Sequence, residues 1–438
     1  MRHDVRDVAA TAPSWGGRLH GIEGLRGLAA LSVVAGHVWA HSSDGVALWS
    51  RSTNVVAHLH HGLTLFFALS GFLLYRPFAT AILAGAPAPP LRSYLRNRAL
   101  RIFPAYWVIL LLASYVLGTT YASAASPTSG VHGVDGTLGA MTDPGQILAN
   151  LALVQTYLPS TIKTGIGVSW SLTTELAFYL LLPALAAMAA LALRRLGLRR
   201  RSAVLLPPLA MLVLGAAGKV CAAETLHASS GAELFFARWG ANGHAVLERS
   251  VLAQADLFAY GMLAAAFFVA VERGRVADAW IVRVRAAATV AAVAVAAGLA
   301  WGLGPSAPNA QRLEDAVVGA TCAGIILLTV LGGADRRATP LQRLVEARPL
   351  RWIGLASYSL YLWHVPVIWW LVNHHVAAGG RAGYLVNLVL VCGVSLALAT
   401  LTYRFVELPA MRRKRRTDAP APQTTWAPVP ASAATEPA

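Results

Sequence analysis

The feature that most constrains this chain is the recurrence of long apolar runs. They fall near 24–42, 56–75, 102–118, 168–192, 203–220, 250–271, 281–303, 315–332, 352–373 and 384–403. Each is on the scale of the roughly 20 residues that a helix needs to cross a hydrocarbon layer. In lipid every backbone N–H and C=O must be satisfied within the protein, so such runs fold as helices or closed barrels. Barrel strands alternate polar and apolar over about ten residues; these runs are longer, continuous and rich in Leu, Ala and Val. The expected fold is all-α, a polytopic integral membrane helical bundle of about ten transmembrane helices. Composition agrees, since only 13% of the residues are charged and 56% are hydrophobic, where a soluble domain carries about 25% charged residues.

The arginines orient the bundle. Arg76, Arg92, Arg96, Arg98 and Arg101 form one group, and Arg194, Arg195, Arg199, Arg200 and Arg201 the next. Arg273, Arg275, Arg283 and Arg285 follow, then Arg336, Arg337, Arg343, Arg348 and Arg351, and last "RRKRR" at 412–416. Every second loop is basic, which places both termini in the cytoplasm by the positive-inside rule. The short apolar piece at 147–158 would break that alternation as a span, and it is read as interfacial. The net charge of +16 is thus an orientation signal, and no nucleic-acid partner is expected. Residues 1–20 form a polar cytoplasmic segment with no small-residue cleavage site after it, so the first run is read as a retained span. Residues 21–410 form the membrane domain. Residues 411–438 are basic, then Pro/Ala-rich, and are expected to be disordered. Cys221, Cys322 and Cys392 have neither disulfide nor zinc spacing.

Ionisable side chains within a bilayer are costly and mark function by default. Arg26 and His37 are eleven residues apart, within about 20° of one helix face and roughly 16 Å apart along the axis. Alone, the pair reads equally well as a snorkelling arginine and a satisfied core histidine. Glu175, in "GVSWSLTTELAFYLLLP", lies one to two turns inside its run, near the depth of His37. A carboxylate beside a histidine fixes its tautomer and raises its basicity, so the two together suit general-base chemistry; a protonated or structurally paired carboxylate is the alternative. Tyr361 and His364 share a face at i, i+3, and His364 is either a second site residue or a packing histidine before Pro366. Arg98 and Arg101, one turn apart, suit phosphate oxygens or serve only as orientation charges. Ser70 and Gly71 sit in mid-run, where small residues equally suit close helix packing. Glu407, near Arg404, is a network member or a helix-end charge. His41 and "HLHH" at 58–61 raise a metal, but no HExxH and no cysteine accompany them, and no metal is assigned.

Several segments together resemble a known family. "RALRIFPAYW" (Arg98, Arg101, Pro104, Tyr106, Trp107), "FFALSGFLL", "WSLTTELAFYLLLP", "ADLFAYGMLAA" (Asp256, Phe258), "ASYSLYLWHVPV" and "FVELP" join the Arg26–His37 spacing in the order found in membrane acyltransferase family 3. That family comprises bacterial inner-membrane O-acyltransferases of surface sugars, glycolipids and antibiotics, and the likeness covers about residues 20–410. The resemblance implies a multi-pass protein of the inner (plasma) membrane with no tightly bound cofactor. It also implies an acyl-CoA co-substrate, acetyl-CoA being the expected donor, and a hydroxyl-bearing sugar, glycolipid or natural-product acceptor. On this reading His37 and Glu175 are catalytic, and Arg26, Arg98, Arg101 and Tyr106 bind the donor. Ser70, Asp256, Tyr361, His364 and Glu407 are further site candidates. Some relatives carry a C-terminal extracytoplasmic esterase-like domain; the short tail here turns the expectation toward a glycolipid or a small secreted acceptor. The rival reading is a transporter or flippase, which also uses charges at mid-depth; no inverted repeat or matched pair of broken spans supports it.

Overall fold

The computed structural model describes residues 19–42, 54–122, 138–227, 231–301, 308–331 and 339–417; most of the N-terminal segment and the Pro/Ala-rich tail lie outside them. Eleven helices carry the architecture: α1 (Ile22–Ser42), α2 (Gly62–Ala84), α3 (Leu91–Leu111), α4 (Trp170–Leu196), α5 (Leu206–Glu224), α6 (Val251–Glu272), α7 (Asp278–Ala300), α8 (Pro308–Val330), α9 (Arg348–Leu355), α10 (Ser357–Asn373) and α11 (Gly380–Thr402). The only sheet among the described residues is a two-stranded antiparallel hairpin, Thr120–Tyr121 with Leu138–Gly139. The chain is a multi-pass helical membrane protein.

Eight helical segments are long and apolar enough to span a membrane, and a ninth if α9 and α10 count as one broken span with its 76° bend. The first of the ten expected runs, α1, is missing from that tally for a physical reason. Arg26, His37 and His41 lower its hydropathy, and the bundle tolerates them because α1 is its axle. It packs against α2, α9, α10 and α11 and buries Leu25, Ala29, Ala30, Val33, Val34 and Val38. A helix shielded by its neighbours need not match lipid. By contrast α7 leans outward on α8, and Val282, Val290 and Val293 stand exposed as lipid-facing residues do.

Glycines set the closest approaches. A methyl group on Gly354 of α9 would sit 1.7 Å from the Glu23 carbonyl oxygen of α1, and one on Gly24 1.8 Å from that of Val345. Between α2 and α6, a methyl on Gly261 would meet the Ala68 carbonyl at 1.8 Å and one on Gly71 the Phe258 carbonyl at 2.1 Å. Small residues substitute here for the missing hydrophobic drive between helices in lipid.

The third run, expected over 102–118, begins at Leu91 and continues to Val116, and the eighth, expected over 315–332, begins at Pro308; two further runs differ for a tertiary reason. The second was read as 56–75, with Arg76 as the break; instead α2 continues to Ala84. Arg76 stays helical because Glu272 of α6 pairs with it at 2.8 Å, and Pro77 is carried within the helix. The ninth run, read as one segment over 352–373, breaks at Ala356, because α9 is held on α1 at Gly354 while α10 enters the bundle.

Two arginine-rich loops meet at the end of α2. Arg200, Arg273 and Arg275 donate to the carbonyls of Ile82, Thr80 and Leu83 at the C-terminal end of α2. Their charge satisfies orphan carbonyls and opposes the negative end of the helix dipole. These basic loops therefore share one face of the bundle, the end from which Arg26 enters α1.

Candidate active site

Near that basic end the helices enclose a cavity of about 780 Å³, including its open part. Arg26 enters it from α1, Ser70 from α2, Arg98 and Arg101 from α3, Glu175 and Tyr179 from α4, and Tyr358 and Tyr361 from α10. Residues up to 335 positions apart in sequence thus converge because five helices present one face each. Helical periodicity places Arg98 and Arg101, and likewise Glu175 and Tyr179, on common faces.

The arginines differ in their partners. Arg101 donates to Glu407 at 2.9 Å and stands over the Tyr358 ring at 5.6 Å. Glu407 lies in a π-helical turn, Tyr403–Glu407, that continues α11. It is only 2% exposed and also accepts from the Ser359 hydroxyl. Arg98 stands over the Tyr179 ring at 5.9 Å. The buried Nε atoms of Arg26 and Arg98 have no hydrogen-bond partner. Unpaired guanidinium donors buried in a cavity are costly, and an anion with several oxygens relieves that cost by paired hydrogen bonds.

The expected pairing of Glu175 with His37 is corrected. Glu175 accepts from Ser70 Oγ at 2.6 Å and lines the arginine cavity. His37 lies outside the lining, and its Nδ1 is 2.9 Å from the Val33 carbonyl oxygen one turn back on α1. A carbonyl only accepts, so Nδ1 carries the proton and Nε2 keeps its lone pair. Val33 thereby does what a carboxylate was expected to do. The ring of His37 stands edge-on to His364 at 5.0 Å and stacks with His41 at 5.7 Å. His364 is completely buried.

The two groups of residues communicate along α1. Tyr361 lines the cavity, is held by Ser171 at 2.8 Å and the Val168 carbonyl at 3.0 Å, and has its ring 5.7 Å from His364. Leu63 also lines the cavity. A methyl on its neighbour Gly62 would touch the Ala29 carbonyl and the Val33 side chain. The far end of the cavity therefore lies near the level of Val33, about one turn short of His37. Beyond His37, His41 packs on Trp369 at 5.0 Å, and Trp369 meets Tyr121 of the hairpin at 6.0 Å.

Other expected site residues are placed elsewhere. Tyr106 donates to the Asn150 carbonyl at 3.0 Å, outside the cavity lining, and fastens the segment that follows the hairpin. Asp256 pairs with Lys219 of α5. Glu407 binds Arg101, whereas its expected neighbour Arg404 lies over Phe405. Tyr179 carried no expectation, although it follows Glu175 at i, i+4, and Tyr358 was not among the expected site residues. Ser359 carried no signal, because its partner is 48 residues away.

Comparisons with known proteins identify a family. The family described as an acyltransferase domain matches residues 19–404. Acyltransferase MdmB of Streptomyces mycarofaciens is 33% identical over 174 residues, 38% of each chain. The putative peptidoglycan O-acetyltransferase YrhL of Bacillus subtilis is 42% identical over 69 residues, 16% of this chain and 10% of that one. Peptidoglycan O-acetyltransferase OatA of Listeria monocytogenes is 30% identical over 86 residues, 20% of this chain and 13% of its own. The matched stretches thus span well under half the length of these relatives. No solved structure matches.

Proposed function

The chain belongs to the acyltransferase family whose domain covers residues 19–404, and from that premise we propose that it is a membrane O-acyltransferase using acyl-CoA. The observation that carries the reading is the pair of arginines, Arg26 and Arg98, whose buried Nε atoms lack hydrogen-bond partners in a cavity that reaches Leu63. The basic end faces the cytoplasm, as the positive-inside rule requires, so the donor enters there. Its phosphates bind Arg26 and Arg98. Arg101, tied to Glu407 and Tyr358, forms the wall behind them. The pantetheine arm follows the α1 face past Ser70 and Tyr361 over the roughly 16 Å separating Arg26 from His37.

At the far end, His37 Nε2 takes the proton from an acceptor hydroxyl as that oxygen attacks the thioester carbonyl. The tetrahedral intermediate collapses, the C–S bond breaks, and the imidazolium returns its proton to the departing thiolate. An ester and free coenzyme A result. His364 packs against the His37 ring and holds its plane. Glu175 acts at the donor end, as the carboxylate that offsets the arginines. The acceptor is a hydroxyl-bearing sugar, glycolipid or glycosylated natural product, and the acyl group is acetyl.

The test is transfer of labelled acetyl from acetyl-CoA by the purified protein in detergent, where no gradient exists and a transporter does nothing. With a hydroxyl-bearing glycolipid extract as acceptor, wild type should form labelled ester. His37→Ala should lose at least about 100-fold in kcat while its melting temperature holds. A His37→Ala variant with full activity would refute the mechanism.

A further inference from the structure

At the end of the bundle where His37 lies, a 3-10 turn, His58–His61, precedes α2 and carries three histidines with no part in acyl transfer. It is seated on α1 at two places. Ser32 donates to the Leu59 carbonyl at 2.6 Å, and a methyl on Gly36 would stand 3.3 Å from the His60 amide nitrogen. On its other side the turn meets the start of α8. Glu314 Oε1 lies 2.8 Å from His58 Nδ1 and 2.8 Å from His61 Nε2. Histidine and carboxylate are 253 residues apart in sequence for the second pair, which is why no spacing motif announced them.

The geometry points to a zinc site formed by His58 Nδ1, His61 Nε2 and Glu314 Oε1. The three atoms lie within 4.8 Å of one another. A tetrahedral ion with bonds near 2.0 Å places its ligands roughly 3.3 Å apart, so the two short edges need to open by only a few tenths of an ångström. A hydrogen-bonded ion pair accounts for the His61 contact but not for that of His58. His58 Nδ1 is buried 2.8 Å from the carboxylate yet has no hydrogen-bond partner, as befits a lone pair aimed at a common centre. The outer contacts of His61 also fit. Its Nδ1 faces the Thr64 hydroxyl at 3.4 Å and Asp315 Oδ1 at 3.7 Å, acceptors for the Nδ1 proton once a metal displaces the Nε2 proton now shared with Glu314. Two imidazoles and one carboxylate are a borderline donor set that suits Zn²⁺, with water in the fourth position. Bound there, the ion pins the turn to α8 and fixes the wall of α1 one residue from His37.

The full chain, purified through a tag that contains no histidine, is stripped with chelator and titrated with zinc chloride. We expect saturation at about one ion per chain, with a rise in melting temperature. His61→Ala and Glu314→Gln should each abolish saturable binding and the rise, and Thr64→Ala should weaken binding about 10- to 100-fold. His37→Ala should bind zinc as wild type does, which separates this site from the acyl-transfer site and its fate. Absence of saturable binding by wild type leaves an ion pair only and overturns the proposal. Undiminished binding in a properly folded Glu314→Gln variant does so as well.

Discussion

At the scale of single residues, the decisive fact is how each buried charge is answered. Glu175 answers Ser70 and the arginine cavity, Glu407 answers Arg101, and Asp256 answers Lys219. His37 is oriented by its own backbone through Val33. If Glu175 were the partner of His37, Glu175→Gln would collapse kcat. We expect it instead to lower the KM for acetyl-CoA by up to about tenfold, because the neutral amide no longer offsets the arginines that hold the phosphates, with kcat and its pH profile little changed. Kinetics with acetyl-CoA across pH check this. The Arg26–His37 relation was legible in the sequence because both residues share one helix and 100° per residue fixes their face. The Glu175 partner was not. Depth in the membrane can be read from a run, but which neighbour a helix face meets depends on packing. Glu407 with Arg101 shows the same limit, since 306 residues separate them.

At the scale of elements, periodicity and run length were enough to locate the helices, because lipid permits little else. Their ends were less legible where a tertiary partner overrode a local signal. Arg76 reads as a terminus until Glu272 is seen beside it, and the bend at Ala356 follows from where Gly354 must sit. The contact of α9 with α1 carries a prediction of its own. Gly354→Ala forces a methyl against the Glu23 carbonyl, so the helices must part. An overpacked contact costs about 1–3 kcal/mol, and thermal unfolding of the detergent-purified variant should begin several degrees lower. Gly298→Ala on the peripheral helix α7, whose added methyl meets nothing within 4 Å, should leave it unchanged.

At the scale of the whole molecule, α1 joins two chemically distinct ends. The basic end gathers the arginine loops at the C-terminus of α2 and holds the cavity. The other gathers His37, His41, His364 and Trp369 beneath the hairpin. The central claim is that the first end grips the donor's phosphates while the second performs chemistry on its thioester. It is tested most directly by comparing acetyl-CoA with acetyl-pantetheine, which lacks the nucleotide and its phosphates, in labelled-acetyl transfer. Wild type should prefer acetyl-CoA in kcat/KM. The Arg26→Ala/Arg98→Ala variant should lose that preference while keeping the activity of wild type toward acetyl-pantetheine, and His37→Ala should transfer from neither. A double-arginine variant that still discriminates between the two donors as wild type does would contradict the account.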